Sequence, residues 1–251
     1  MGVQSNLVWF FRGAAVAAAA LAATAAGAAD YPTKKAPRAP APAPAVAPIT
    51  PGFFVKAGLL YAINQSSSKL YLNGSQLPGV GATISNIATL GFEAGYYLTP
   101  DLSIDISAGL PMWAEAKTTG TTLGAPPSGT LLSKFMPAFL PVTLLYHFNQ
   151  FGAFQPYIGG GVAPVFALAT HDEFDSGVTV DPTIGLVLQG GADVMIDQHW
   201  GWTFDVKKLF AEATSHATGL NVAPGVVIPA VGEQKTSFQP WILSTGVTYR
   251  F

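Results

Sequence analysis

From Phe53 to Phe251, apolar residues recur at every second position in runs of about ten residues. A strand points successive side chains to opposite faces, so each run has one apolar face and one mixed face. In 53–63 the apolar face is Phe53, Val55, Ala57, Leu59, Tyr61 and Ile63, opposite Phe54, Lys56, Gly58, Leu60 and Ala62. The same alternation runs through 88–98, 102–110, 142–148, 157–166, 184–196, 202–207 and 241–251, which makes eight strands. No stretch of this region reaches the about 18 consecutive apolar residues of a membrane helix.

Composition says what the apolar faces meet. Only 10% of the residues are charged, against about 25% in an ordinary soluble domain. So few charges cannot cover the outside of a soluble protein of 251 residues; part of the outside faces lipid. Lipid offers no hydrogen bonds, so a span without helices must close on itself to pair every backbone group. The expected fold is all-β: an eight-stranded antiparallel transmembrane β-barrel. The net charge of −2 excludes a chain-wide basic footprint for nucleic acid. The lack of cysteine excludes a disulfide framework, thiolate metal sites and a lipidated N-terminal cysteine. No cofactor or metal motif is present.

The ionisable residues test the barrel independently. Lys56, Glu93, Asp105, His147, Asp193, Asp205, Lys207 and Arg250 all fall in the non-lipid phase. A charge facing lipid at mid-depth costs about 2–4 kcal/mol, so this segregation is what a lipid-facing exterior demands. Lys208 breaks the phase. It either snorkels to the outer interface or marks a bulge.

Connections alternate in length. Short ones lie around 99–101, 149–153 and 197–199, and long ones at 64–86, 111–134, 170–182 and 211–237. Short periplasmic turns with long extracellular loops are the outer-membrane arrangement. Tyr96, Tyr97, Trp200, Trp202, Trp241, Tyr249 and Phe251 cluster near strand ends, as interfacial girdles do. Residues 1–29 read as a secretory signal peptide: a short head ending at Arg12, an alanine-rich run, and Ala26-Gly27-Ala28 as the cleavage pattern. Residues 30–52 carry seven prolines, with Lys34, Lys35 and Arg38, and read as an extended periplasmic linker. The barrel takes 53–251, with the N-terminus of the mature chain in the periplasm.

Several segments resemble the outer membrane protein W (OmpW/AlkL) family. They are GFEAGYYLTPD at 91–101, LPVTLLYHF at 140–148, FQPYIGGGV at 154–162, GLVLQGGADVMIDQHW at 185–200 and PWILSTGVTYRF at 240–251. The resemblance covers nearly all of 53–251. It implies an eight-stranded Gram-negative outer-membrane barrel, set in lipid and lipopolysaccharide, that admits small hydrophobic molecules. Phe251, with Tyr249 and Val247, also resembles the terminal signal read by the barrel assembly machinery. The Pro/Ala linker, Pro164 inside a strand and the loop sequences depart from the family pattern.

Eight strands enclose a lumen just wide enough to be filled by side chains or to hold one small ligand. The inward charged residues lie toward the periplasmic end, where acids and bases in a narrow lumen should pair. They are expected to form a polar floor. Above it, Leu60, Val165, Val187, Leu209 and Ile242 make an apolar cup, the expected ligand-binding lumen. Pro141, Pro164 and Pro182 lack N–H donors and are candidate breaks in the ladder, through which a hydrophobic solute would leave sideways into the bilayer. The alternative is a closed structural or surface-interaction barrel. An enzyme is not expected: His147, with Ser107 or Ser244, lacks any recognisable catalytic motif. His171, Asp172, Glu173 and Asp175 in the third long loop lack calcium-loop spacing.

Overall fold

The computed structural model describes residues 51–251, apart from 77, 121–126 and 224–225. The signal peptide and linker therefore lie outside the described residues, except Pro51 and Gly52. Eight antiparallel strands close into a ring: β1 (Gly52–Ile63), β5 (Ile87–Thr99), β6 (Leu102–Gly109), β9 (Val142–His147), β10 (Phe154–Asp172), β13 (Thr183–Met195), β14 (Trp200–Ala223) and β16 (Trp241–Arg250). Each pairs with the next, and β16 returns to β1, with Phe54 opposite Arg250 and Ile63 opposite Trp241. These are the eight strands expected from the alternation.

The apolar phase points outward. Ile184 is 73% exposed and Leu186 65%, while the intervening Gly185 is buried. At the short-turn end, Asp197 accepts the N–H groups of His199 and Trp200 at 2.8 and 2.7 Å. These bonds hold its carboxyl below the usual carboxylate range. Aromatic pairs such as Tyr249 with Trp200 and with Phe251, ring centroids 4.7 and 4.9 Å apart, ring this end. The glycine run 159–161 lets β10 approach β9 closely: a Cβ on Gly159 or Gly161 would collide with the carbonyl of Leu144 or Val142.

The long connections are not irregular. They add β2 (Ser66–Leu72), β3 (Ser75–Gln76), β4 (Gly81–Ile84), β7 (Ala114–Thr119), β8 (Leu131–Phe139), β11 (Asp175–Ser176), β12 (Thr179–Val180) and β15 (Val226–Phe238). β14 continues past the expected end at Lys207 to Ala223, pairing with β15, β11 and β12. β10 continues past Phe166 to Asp172. The barrel thus carries a second β storey on its long-loop side.

β10 changes partner where the storeys meet. Its lower half pairs with β9 from Tyr157 to Val162, and its upper half with β8 from Val165 to Asp172. The last rungs on either side of this change are Leu140 N–H to the Pro164 carbonyl at 3.2 Å and Ser107 N–H to the Pro141 carbonyl at 3.0 Å. Above Pro141, β8 follows β10 and then β7, not β6. Among the described residues, Ala108 and Gly109 of β6 pair with β5 on one edge and have no ladder partner on the other. A register shift between Ala167 and Ala169 marks the same level. Pro182 opens no gap: it precedes β13, whose pairing with β10 begins at Thr183 opposite Val165.

Candidate functional site

All eight ionisable residues of the expected floor are buried inside the ring, none more than 8% exposed. Alternation turns them inward, and the registers bring them to one level: Lys56 opposes Glu93, and Asp205 opposes Gly191 beside Asp193. Lys207 donates to Glu93 at 2.8 Å and to Asp205 at 2.7 Å. Lys56 lies 3.3 Å from both Glu93 and Asp193, and Arg250 3.2 Å from Asp193. The chain Arg250–Asp193–Lys56–Glu93–Lys207–Asp205 therefore crosses the lumen as one alternating ion-pair network. Each charge meets an opposite one, the condition for keeping charges away from water.

Asp105 and His147 stand apart from this network. Among the described residues Asp105 takes only the Thr143 hydroxyl, at 3.0 Å. The His147 Nε2 lies 2.9 Å from the Ser103 hydroxyl, between the rings of Tyr97 and Tyr157. Ser107 and Ser244, the serines weighed beside His147, line the cavity above the floor instead.

Two further floor members, Tyr157 and Gln189, were not singled out from the sequence. Tyr157 donates to Asp205 at 3.0 Å, and the Lys56 amine sits 4.2 Å from its ring centre. Gln189 donates to Asp205 at 2.8 Å and lies 2.6 Å from the Thr143 hydroxyl. Both share the inward phase and fall inside quoted motif segments, so alternation could have found them.

Above the floor the lumen is apolar but not uniformly open. A small cavity, about 40 Å³, rests on Lys56, Glu93, Asp205 and Lys207 and is walled by Leu60, Ile242 and Phe139. Val165, Val187 and Leu209 pack with Ala163, Ala211 and Phe238 into a buried cluster, joined by Phe139 and Ile84. Val187 and Leu209, expected to line the cup, are filled in by this packing. Each is at most 2% exposed, and neither borders a described cavity. Of the five expected lining residues, Leu60 and Ile242 border the floor cavity and Val165 a chamber in the upper storey.

A second cavity, about 280 Å³, occupies the level where β6 loses its ladder partner. On the lumen side it meets Leu60, Thr89 and Phe139, and on the outer side Leu110, Met112, Leu140 and Leu168. Its lining thus comes from both faces of the wall. Lys208 shows no bulge in its pairing. It points outward, with its amine on the Gln239 carbonyl at 2.6 Å and 4.9 Å from the Trp241 ring centre, the snorkelling arrangement. In the third long loop, Asp172 caps the Gly177 and Val178 N–H groups, while Glu173 faces Lys134 and His171. Among the described residues they form no cluster that could hold a metal ion.

A family model described as the OmpW family matches residues 51–251. The chain belongs to the OmpW family. An outer-membrane protein of Sinorhizobium fredii, y4mB, is 33% identical over 228 residues, 90% of each chain. PahQ of Pseudomonas aeruginosa, a dibenzothiophene metabolism operon protein, is 24% identical over 196 residues, 78% of this chain and 87% of that one. The crystal structure of OprG from Pseudomonas aeruginosa shares the fold, with a TM-score of 0.71 at 19% identity over 80% of this chain and 96% of that one. This OmpW-family chain is an outer-membrane β-barrel.

Proposed function

We propose that this barrel is a passive channel for small hydrophobic molecules, releasing them sideways into the bilayer between β6 and β8. The single observation that carries the reading is the cavity whose lining comes from both the lumen and the lipid side where the ladder stops above Pro141. An apolar solute there passes from lumen to lipid without crossing polar backbone. The ion-pair floor below it opposes flow of ions and water toward the turn end. That PahQ is named for dibenzothiophene metabolism agrees with an apolar cargo. In this reading the short turns, both strand termini and the linker lie in the periplasm. The storey stands outside among lipopolysaccharide sugars, Phe251 is read by the assembly machinery, and the barrel carries no enzymatic activity.

The packing of Val187 and Leu209 favours a second reading, a closed barrel whose loops carry the function. One experiment separates them. The chain has no cysteine, so Ala108→Cys with Leu140→Cys places a single staple across the break. Naphthalene uptake into cells carrying the barrel is measured beside a single-channel ion trace. Uptake with little conductance, lost on oxidation and regained on reduction, supports lateral release. Uptake indifferent to the staple overturns that route, and no uptake with a silent trace leaves the closed barrel.

A further inference from the structure

The long strands β10 and β14 carry the upper storey as two sheets. One runs β14-β15-β2, with β11 and β12 also on β14. The other runs β10-β8-β7-β4. Beside β10 the two are joined by Thr170, which donates to the Val178 carbonyl at 3.0 Å, and by Asp172, which accepts the Gly177 and Val178 N–H groups.

The second junction is built differently. There β2 meets β4, above the β1–β5 pair, whose ladder ends at Ala62 opposite Ile87. Among the described residues no backbone hydrogen bond joins β2 to β4. Side chains take over. The Asn64 N–H donates to the Asn86 side-chain carbonyl at 2.9 Å, and the Asn64 amide donates to the Ser85 carbonyl. Higher up, the Ser68 hydroxyl accepts the Ala82 N–H at 2.7 Å and donates to the Ala82 carbonyl at 2.8 Å. One hydroxyl thus stands in for a rung of the ladder.

This seam is also where the sheets are anchored least. β2 lies two strands from β14, and β4 three strands from β10, so both are the edges farthest from the strands rooted in the barrel. Behind the seam Ala82 packs with Ala116 and Leu132. Parting the edges wets these side chains, which drives the seam shut again. Only residues 77–80 separate β3 from β4 in sequence, so the parted edges stay tethered within about 17 Å.

We propose that Ser68 is a clasp that holds the storey shut, and that its release parts β2 from β4 and opens the side of the storey above β1 and β5. This goes beyond the channel reading and does not depend on it. The clasp sets access to the storey's interior whether molecules go on through the barrel or stop there.

The test uses the full chain in lipid nanodiscs and pulsed electron resonance between spin labels. Lys235→Cys with Lys117→Cys places labels on opposite sides of the seam, on β15 and β7. Lys117→Cys with His171→Cys places both on the sheet carried by β10. Across the seam, Ser68→Ala is expected to raise the population at longer distance over that at shorter distance about five- to hundredfold, the range of two net hydrogen bonds. The pair within one sheet should keep its distance. Ser68→Thr, which retains a hydroxyl, should stay close to the parent ratio. Asn86→Ala removes the acceptor of the Asn64 N–H and should shift the ratio the same way, which keeps the test open if Ser68→Ala does not fold. An unchanged ratio in folded Ser68→Ala would overturn the proposal. So would an equal spread in the pair within one sheet, which means general loosening, or Ser68→Thr behaving like Ser68→Ala. No uptake enters the readout, so the clasp and the channel fail separately.

Discussion

Glu93 and Lys207 are 114 residues apart in sequence and joined by a 2.8 Å hydrogen bond across the lumen. Among the described residues, the buried cluster holds four carboxylates, Glu93, Asp105, Asp193 and Asp205, against three cations, Lys56, Lys207 and Arg250. Losing a cation is therefore worse than losing an acid. Lys207→Met is expected to cost about 3–5 kcal/mol, the usual result of stripping one partner from a buried pair. Glu93→Gln costs less, because Lys56 keeps Asp193 and Lys207 keeps Asp205. Adding Glu93→Gln to Lys207→Met should recover part of the loss. Urea unfolding of the four proteins in lipid vesicles checks the order.

Asp105 is the surplus acid. No cation lies within ion-pair distance of it among the described residues, and only one of its oxygens is hydrogen-bonded. Asp105→Asn keeps the shape and removes the charge, so it should be neutral or stabilising. A clear fall in the unfolding midpoint would mean that the carboxylate has a partner other than Thr143.

Gly95 has no room for a side chain. A Cβ there would stand 2.8 Å from that of Asp105 and press into the Phe54 ring. Phe54 in turn packs against Tyr97, centroids 4.9 Å apart. Gly95→Ala is expected to cost about 1–3 kcal/mol, as overpacking does. The companion change Phe54→Leu should relieve part of it, read by the same unfolding experiment.

Asp175 lies in the upper storey, outside the membrane span. Burial, helped by the nearby Asp172 charge, pushes its carboxyl up to about 6. Its folded value exceeds its unfolded one, so its contribution is complete at low pH and is lost as pH rises through about 6. Amide protection in β11, where Asp175 pairs with Leu220, should fall between about pH 4 and about pH 6 and level off above that. Asp175→Asn should flatten that dependence. Unchanged protection in the parent chain would contradict the assignment.

Alternation located all eight barrel strands because lipid on one side and a narrow lumen on the other penalise any slip of phase. The same contrast fixed which face the floor residues take. It fades above Lys207. In 211–223 polar and small residues fall in both phases, and the reach of β14 to Ala223 could not be read. Alternation also says that Val187 and Leu209 point inward, but not whether space remains beside them. That depends on side chains from other strands, Phe238 and Phe139 among them. Tyr157 and Gln189 were legible as inward residues. Asp205 was equally legible as inward, but its pairing with both was not, since it comes from a third strand.

Asp193 draws both of its cations from the two ends of the ring, Lys56 on the first strand and Arg250 on the last. A sheet still open between β1 and β16 strands Arg250 at a free edge and denies Asp193 one of its counter-charges. Partially joined intermediates are thereby penalised, and the final seam, where Phe54 faces Arg250 and the Phe251 N–H meets the Phe53 carbonyl at 3.0 Å, joins the two ends of the barrel sequence. Such non-local closure makes for slow folding. Once shut, the ring is held by charges that neither end can satisfy alone, so opening it at that seam becomes a cooperative event rather than a gradual fraying.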